Sequence, residues 1–276
     1  MDRRTFVGTM GAVAASTTMP SMLLADDKIN KIGLQLYTVR DEMKISVERT
    51  LANVARIGYR EVEFAGYFNR PARALNQLLK RNGLSAPAAH VGIDAVRGPW
   101  NRTLAEANEV GHKWLLVAWL AESDRDSVDA VRRTADLFNK AGEDAKRSGM
   151  RFAYHNHDFE FRELGGRPML DLLLEHTDPK YVDFEMDLYW TVKGGADPLD
   201  YFARYPGRFP LVHVKDGGPP PERKMTEVGK GAIDFKPVFA ARKLGGIKHY
   251  FVEHDNPENS LTSAATSYRY LKALRF

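Results

Sequence analysis

The sequence predicts a single-domain α/β fold, a closed (β/α)8 (TIM) barrel, from its length and from a repeated alternation of strand and helix patterns. Short β-type runs alternate with amphipathic stretches of helical period along the chain. Eight such runs are present, and eight parallel strands close into a barrel instead of forming an open sheet. The roughly 250 residues that follow the N-terminal segment are the typical size of one such barrel.

The predicted strands are runs of β-branched, aromatic and other apolar residues. In chain order they are Ile32–Thr38, Glu61–Ala65, Ala86–Val91, Trp114–Trp119, Arg151–His157, Val182–Asp187, Leu211–Lys215 and Tyr250–Glu253. Between them lie helical stretches such as Val47–Ile57 and Val128–Arg147, whose apolar residues recur on one face. No linker or low-complexity segment interrupts the series, so we expect one domain over residues 26–276.

The first 25 residues are expected to be an export signal and not part of the barrel. Arg3 and Arg4 precede Phe6, and a stretch of small and apolar residues follows as far as Met19. A charged start, a short apolar middle and a small residue before the cut are the order of a secretory signal, and the paired arginines resemble the twin-arginine type. Cleavage after Ala25 would export the protein to the periplasm. The apolar stretch is too short to span a bilayer, so we expect no membrane association after cleavage.

The composition excludes several kinds of site. The chain has no cysteine, which rules out disulfides, thiolate ligands and cysteine nucleophiles. Any metal must therefore be held by histidine, aspartate, glutamate or water. The net charge is only +4, and basic residues are interspersed with acidic ones. No basic stripe with interleaved aromatic residues is present, so we do not expect nucleic acid as a partner.

Chemically reactive side chains cluster where four of the later predicted strands end. The richest segment is Tyr154–Phe161, which reads YHNHDFEF. The segments Phe184–Asp187, Leu211–Asp216 and Phe251–Asp255 end in the same kinds of residue. Because the C-terminal ends of the strands in a closed parallel barrel meet at one mouth, where active sites of this fold lie, we expect these side chains to converge there.

These strand ends predict a metal site. Asp187, His213 and Glu253 end the sixth, seventh and eighth predicted strands, and mixed carboxylate and imidazole ligands suit a divalent transition metal. A fourth ligand is expected from the fifth strand, where both His155 and Glu160 are candidates. His155 lies closer to the strand end, whereas Glu160 would add a charge-balancing carboxylate and is slightly favoured. We expect one divalent metal ion, Mn, Co, Fe, Mg or Zn, with water or two substrate oxygens in the remaining positions.

Lys215 is a further candidate for catalysis. It lies two residues after His213, so both side chains point to the same face of the strand. A lysine there could bind a substrate oxygen or stabilise an enolate. The alternative is that Lys215 forms a salt bridge with Asp187 or Asp216.

Residues at the earlier strand ends are candidates for substrate binding. Glu63 ends the second strand and could act as a base or accept a hydrogen bond from a substrate hydroxyl. His90 ends the third and could bind a hydroxyl or act as an acid. Four aromatic side chains near the mouth could stack on a sugar face or simply pack the barrel: Trp190, Trp119, Tyr37 and Tyr154.

Taken together, these residues resemble the sugar phosphate isomerase/epimerase superfamily, the xylose isomerase-like barrels that also include the endonuclease IV type. The resemblance runs from about Lys31 to the C-terminus. It rests on six segments: Ile32–Arg40 (IGLQLYTVR), Glu61–Gly66 (EVEFAG), Tyr154–Phe161, Val212–Asp216 (VHVKD), Val228–Phe235 (VGKGAIDF) and Val252–His254 (VEH).

The resemblance implies a metal ion and a reaction class. Members hold one divalent metal between two carboxylates, an aspartate and a histidine at the ends of the fifth to eighth strands, which implies Asp187, His213 and Glu253 as ligands here. In the epimerase branch two glutamates also move the proton beside the ketone, but the matching fifth-strand position in this chain is His155. A histidine there is similar to the inosose-dehydratase and keto-glycoside-cleaving branches. In those, a histidine would take the proton alpha to a carbonyl, the metal would stabilise the enolate, and a leaving group would depart from the next carbon.

We therefore expect a metal-dependent isomerase, epimerase or lyase that acts on a keto-sugar or keto-glycoside, with His155 or His157 as the base. The substrate is expected to be a small, unphosphorylated carbohydrate, because no glycine-rich phosphate loop is present. The resemblance is also compatible with a homo-oligomer, because dimers and tetramers are common in that family. The alternatives are a non-catalytic sugar-binding barrel and an endonuclease IV-like phosphodiesterase, which would need several metals and a basic surface facing DNA.

Overall fold

The computed structural model describes residues 27–276, so the expected export signal over residues 1–25 lies outside the described residues. Eight parallel strands form a closed barrel, each hydrogen-bonded to its neighbours in chain order. They are β1 Gly33–Gln35, β2 Glu61–Phe64, β3 Ser85–Val91, β4 Trp114–Val117, β5 Arg151–His155, β6 Val182–Asp187, β7 Leu211–Val214 and β8 His249–Val252. The predicted (β/α)8 barrel is confirmed.

Helices surround the barrel and connect its strands. The α-helices are Arg40–Ile45, Val47–Ile57, Ala72–Arg81, Ile93–Arg97, Trp100–Val110, Val128–Arg147, Met169–His176, Leu188–Lys193, Pro198–Arg204, Phe235–Ala240, Arg242–Gly245 and Ser260–Ala273. Short 3-10 turns occupy Leu36–Val39, Glu122–Asp124 and Phe159–Phe161. The two longest predicted helices have the predicted bounds, and each begins at a serine whose hydroxyl accepts a backbone N–H of the first turn. Over residues 27–276, no helix combines the length and apolarity that crossing a bilayer needs.

Several observed strands end earlier than predicted. β1 ends at Gln35, because the side chain of Gln35 accepts a hydrogen bond from the backbone N–H of Tyr37 and starts a 3-10 turn. β7 ends at Val214, and the chain then pairs Asp216–Gly217 antiparallel with Met225–Thr226 in a small hairpin. These early ends bring the turns that follow the strands into the wall of the mouth.

The barrel interior contains polar side chains at successive depths. At the N-terminal end, the Nδ1 atom of His249 lies 2.8 Å from a carboxylate oxygen of Glu61, and the indole of Trp114 donates to Asp183 at 2.8 Å. An apolar cluster also fills the interior: Ala88, Trp114, Leu116, Ala153, Leu211 and Phe251. Nearer the mouth lie Glu63 and Glu185 with their histidine partners, and above them the side chains at the ends of the later strands. Because alternate residues of a strand face the interior, Asp183, Glu185 and Asp187 of β6 contribute one carboxylate at each depth.

The loop after β7 is held by the buried carboxylate of Asp216. Its two oxygens accept hydrogen bonds from the backbone N–H groups of Gly217 (2.8 Å), Gly229 (2.9 Å), Gly231 (3.1 Å) and Ile233 (3.3 Å). A Cβ atom on Gly231 would lie 2.0 Å from Asp216 Oδ1, so this position requires glycine. This carboxylate therefore serves the backbone of the loop and does not form the salt bridge with Lys215 that was one alternative.

Candidate metal centre

Four side chains converge at the C-terminal mouth of the barrel. His155, Asp187, His213 and Glu253 each place one ligand atom within 4.8 Å of the others, and all four are buried. His213 Nδ1 lies 2.7 Å from Glu253 Oε2 and 3.7 Å from Asp187 Oδ2, and His155 Nε2 lies 3.4 Å from the same Asp187 oxygen. Metal bonds of about 2.0–2.3 Å place neighbouring ligand atoms roughly 3 Å apart, so these spacings suit a single ion.

The chemistry of these donors fits a divalent cation. His213 Nδ1 is buried and makes no hydrogen bond, although the Glu253 oxygen lies beside it. A buried polar atom without a partner costs about 1–3 kcal/mol, a cost that a bound cation removes. The carboxylates of Asp187, Glu253 and Asp255 surround the ammonium of Lys215 and outnumber it, so these groups favour the binding of a further cation.

Electrostatics keep the carboxylates ionised and the fifth-strand imidazole neutral. Burial raises the pKa of Asp187, but the ammonium of Lys215 and the neighbouring imidazoles outweigh it and bring the pKa to about 2. Burial likewise opposes ionisation of Glu253, yet Lys215 and His213 hold its pKa well below the usual range. Burial, with the charge of His213, lowers the pKa of His155 to about 4, so His155 keeps a lone pair at neutral pH.

The backbone fixes the orientation of Asp187. Its Oδ1 atom accepts a hydrogen bond from the N–H of Trp190 at 2.9 Å and so caps the helix Leu188–Lys193. Its own N–H donates to the side-chain oxygen of Asn156 at 3.2 Å. With one oxygen engaged as a cap, the other faces the mouth, where it meets Lys215 at 3.0 Å.

Lys215 pairs with three carboxylates. Its Nζ atom lies 3.0 Å from Asp187, 2.8 Å from Glu253 and 2.9 Å from Asp255, and the side chain is almost completely buried. These contacts raise its pKa well above the ordinary value even though burial opposes the charge. The alternative of a salt bridge to Asp187 is therefore confirmed. The lysine also lines the mouth cavity, so a role toward substrate stays a prediction.

Glu160 lies apart from the four converging side chains, which departs from the expectation that it is the fourth ligand. The hydroxyl of Tyr154 donates to its Oε1 atom, and the backbone N–H of His157 donates to its Oε2 atom at 2.8 Å. Both oxygens are thus engaged away from the mouth. The reason is the turn after β5: the 3-10 turn Phe159–Phe161 folds Glu160 back under the strand end. The geometry favours His155 in its place.

Glu63 lies below the mouth and not in its wall, so the structure does not bring it into reach of a substrate. It is completely buried, and its Oε2 atom lies 2.6 Å from His213 Nε2 and 3.3 Å from His90 Nε2. Glu185, which the sequence analysis did not single out for function, reaches the same two imidazoles at 3.0 and 2.9 Å. The sequence does indicate that Glu185 faces the barrel interior, because it lies two residues before Asp187 on β6 and so on the same face.

A cavity of about 360 Å³ opens above the metal candidates. Its walls include His90, His155, His157, Lys215, Glu253, Asp255, Tyr37 and Trp119. Burial, followed by the charges of His155 and Lys215, lowers the pKa of His157 to about 3, and its Nδ1 atom makes no hydrogen bond. His157 is therefore a neutral imidazole at the cavity wall.

Of the four aromatic candidates, two line the mouth cavity and two do not. Tyr37 is 42% and Trp119 56% exposed, and both line the cavity. Tyr154 is completely buried and donates its hydroxyl to Glu160, so it does not stack on a ligand. Trp190 does not line this cavity but a second one of about 510 Å³, and Lys215 Nζ lies 5.6 Å from the centre of its ring.

Comparison with known proteins finds several barrels that are similar to this chain. The inosose dehydratase of Geobacillus thermodenitrificans is 27% identical in an alignment that covers 82% of this chain and 90% of that protein. A sugar phosphate isomerase/epimerase structure from Parabacteroides distasonis is 27% identical, with a TM-score of 0.79 over 88% of this chain and 98% of the other. The IOLI protein, whose structure holds a zinc atom, shares the fold with a TM-score of 0.71 at 13% identity, over 89% of this chain and 99% of the other.

The match to a family model agrees with the barrel and with these relatives. The model for the xylose isomerase-like TIM barrel matches residues 51–274, which include seven of the eight strands and all four converging side chains. The chain therefore belongs to the xylose isomerase-like TIM barrel family.

Proposed function

We propose that this protein is a divalent-metal-dependent enzyme that removes a proton alpha to the carbonyl of a keto-sugar or related keto-carbohydrate. The observation that carries the proposal is the convergence of His155, Asp187, His213 and Glu253 at the C-terminal mouth, where His155 and Glu253 also line the cavity. These four residues would hold the metal. When bound, a divalent ion polarises the carbonyl and offsets the negative charge that develops on its oxygen.

Elimination is the reaction we favour within this class. β5 ends in His155, which would stand in place of one of the two glutamates that proton exchange between the faces of a sugar carbon would use. Curated relatives that span most of the chain carry the name inosose dehydratase. Isomerisation and epimerisation share the first proton transfer, so they are the alternatives that product analysis distinguishes.

His157 and His90 are the proposed base and acid. His157 lines the cavity as a neutral imidazole, so it would accept the proton from the carbon beside the carbonyl. Although burial favours neutral His90, the carboxylates of Glu63 and Glu185 raise its pKa to about 9, so it stays protonated at the cavity wall. Removal of the alpha proton would leave an enolate. As the C=O bond re-forms and a C=C bond forms between the alpha carbon and the next carbon, the C–O bond to the leaving group breaks, and His90 would supply the proton to the departing oxygen.

Lys215 would stabilise the developing negative charge. It lines the cavity and remains protonated because three carboxylates surround its ammonium. Since His157 is a weak base, the proton transfer depends on such stabilisation of the enolate. Tyr37 and Trp119 supply exposed aromatic faces on which an apolar face of a sugar ring can stack.

We also propose that the N-terminal 25 residues direct export by the twin-arginine route to the periplasm. This rests on the paired arginines and the short small-residue stretch alone. A route that carries folded proteins suits a metalloenzyme, because the metal can be inserted before export.

The experiment that tests the function measures exchange of the alpha proton. The purified protein, reconstituted separately with Mn²⁺, Co²⁺, Fe²⁺, Mg²⁺ and Zn²⁺, is incubated with an inosose and a panel of keto-sugars and keto-glycosides in D2O. We expect loss of one alpha-proton NMR signal, and, for elimination, the appearance of an unsaturated or dione product. Because His213 is central to the ligand set, we expect His213→Ala to abolish both metal retention and exchange.

The matched control is His176→Ala, which removes an exposed histidine at the end of the helix Met169–His176. It should retain metal and activity. Exchange that persists in metal-free wild type, or in His213→Ala, would contradict the proposed mechanism. Tight sugar binding without any exchange, in every metal form, would instead support a non-catalytic sugar-binding barrel.

A further inference from the structure

We propose that Glu185 and Glu63 are positioning residues that hold His213 from below, so that its Nδ1 atom stays on the ligand set at the mouth. This inference rests on the proposed metal-dependent function and assigns a role to two buried carboxylates that do not line the cavity. It replaces the expectation that Glu63 contacts substrate.

The geometry of His213 carries the inference. Its two ring nitrogens face two different groups of side chains: Nδ1 lies 2.7 Å from Glu253, whereas Nε2 lies 2.6 Å from Glu63 and 3.0 Å from Glu185. A histidine that binds a metal through one nitrogen ordinarily donates its other N–H to a carboxylate or carbonyl, which fixes the tautomer and the ring orientation. Here the carboxylates on the Nε2 side would keep that nitrogen protonated, so that a metal ion would take the place of the proton on Nδ1.

Glu63 and Glu185 both contact a second imidazole, that of His90, so that two carboxylates and two imidazoles form one buried cluster. His90 Nε2 lies 2.9 Å from Glu185 and 3.3 Å from Glu63, and its ring stacks on the His213 ring with 5.4 Å between centroids. Each imidazole therefore meets both carboxylates, and each carboxylate meets both imidazoles. The arrangement permits no sideways rotation of His213 without breaking a buried charge-assisted hydrogen bond.

Gln35 anchors this group to the barrel. Its side-chain N–H donates to Glu63 Oε2 at 2.7 Å, and its side-chain oxygen accepts the backbone N–H of Tyr37 at 3.1 Å. Gln35, Glu63 and Glu185 are all completely buried. The support for His213 is therefore rigid, and through Tyr37 it reaches the wall of the substrate cavity.

The test is the affinity of the whole chain for Zn²⁺ and Mn²⁺, measured by competition with a chromogenic chelator. We expect Glu185→Ala to weaken binding by roughly 10- to 100-fold, because second-layer partners of metal-binding histidines have effects of that size. Glu185→Gln should rescue much of the loss, since its amide oxygen can still accept the His213 Nε2–H. Glu63→Ala, for which the same loss is expected and Glu63→Gln is the rescue, provides a second variant if Glu185→Ala does not fold.

The matched control is Glu61→Ala. Glu61 is also a buried carboxylate of the barrel interior and pairs with a histidine, His249, at 2.8 Å, but at the N-terminal end. Its loss should lower the free energy of unfolding of the metal-free protein as Glu185→Ala does, yet leave metal affinity unchanged. Glu185→Ala and Glu61→Ala with equal affinities would overturn the inference while wild-type metal binding upheld the proposed function.

The stoichiometry separates the remaining outcomes. Two ions per wild-type chain, falling to one in Glu185→Ala, would overturn the positioning role and make Glu63, His90, Glu185 and His213 a second ligand set. A wild-type chain that binds no ion would overturn both the proposed function and this inference. One ion per chain with selectively weakened binding in Glu185→Ala is the expected result.

Discussion

Replacing Glu160 by glutamine should make the protein more stable, and increasingly so as the pH rises. Complete burial raises the pKa of this carboxyl from 4.5 to about 7, although hydrogen bonds from Tyr154 and the His157 N–H pull it down. One pKa unit corresponds to about 1.4 kcal/mol, so ionisation of Glu160 in the folded state costs about 3 kcal/mol. Glutamine avoids this cost and keeps both partners, because its oxygen can accept the His157 N–H while its amide donates to the Tyr154 oxygen.

The sign of the pH dependence follows from the direction of the shift. The unfolded chain releases this proton near pH 4.5, and the folded chain releases it only near pH 7. Between these values the folded state binds more protons, so the wild type loses stability as the pH rises. The advantage of Glu160→Gln should therefore be about 1 kcal/mol at pH 5 and about 3 kcal/mol at pH 8.

The assay is urea denaturation of the chelator-treated variant and wild type at the two pH values, followed by metal titration of both. If the gain in the free energy of unfolding did not grow with pH, burial could not be what raises the pKa of Glu160. A loss of metal binding in Glu160→Gln would show that Glu160 is a ligand after all, and that His155 is not the fourth one. Retained metal affinity with a pH-dependent gain in the free energy of unfolding is the result we expect.

Two further substitutions test how the loop after β7 and the helix packing are held. Asp216→Asn should lower the free energy of unfolding by at least about 1–3 kcal/mol, because backbone N–H donors lose a buried acceptor. Urea denaturation with limited trypsin cleavage would detect it, and Asp234→Asn, which changes an exposed helix cap, is the control. Gly142→Ala should cost about 1–3 kcal/mol in thermal or urea unfolding, because its Cβ would lie 2.4 Å from the Tyr181 carbonyl oxygen. Gly92→Ala, whose Cβ would meet open space, should be nearly neutral, and equal effects of the two alanines would contradict the steric argument.

The sequence pattern was sufficient to predict the barrel fold and the convergence of three of the four side chains at the mouth. Strand and helix periods are local properties, so the eight strands could be recognised before their partners were known. Asp187, His213 and Glu253 could be placed together because parallel strands of a barrel bring their C-terminal ends to one mouth. Alternation along β6 put its three acidic residues on one face, and the position of Asp187 at the C-terminal end of the strand indicated that it would lie nearest that mouth.

The turn after β5 could not be read from the sequence. His155 and Glu160 both follow an apolar run. His155 is the last residue of β5, so the strand sets the direction of its side chain. Glu160 lies in the following 3-10 turn, so the conformation of that turn sets the direction of its side chain. That direction depends on the contacts of Glu160 with Tyr154 and with the His157 N–H. These contacts exist only once the chain has folded.

The sequence by itself determined the barrel, its chemistry without cysteine and the strand ends that carry the reactive groups. Only the tertiary structure decided the depth of each interior side chain. Glu63 and Glu185 have the residue type and the alternation of substrate or metal ligands, yet both lie one level below the mouth and contact His213 from beneath. The reason is physical: alternation states which face of a strand a residue occupies, while its height in the barrel depends on how each strand is shifted against its neighbours when the sheet closes.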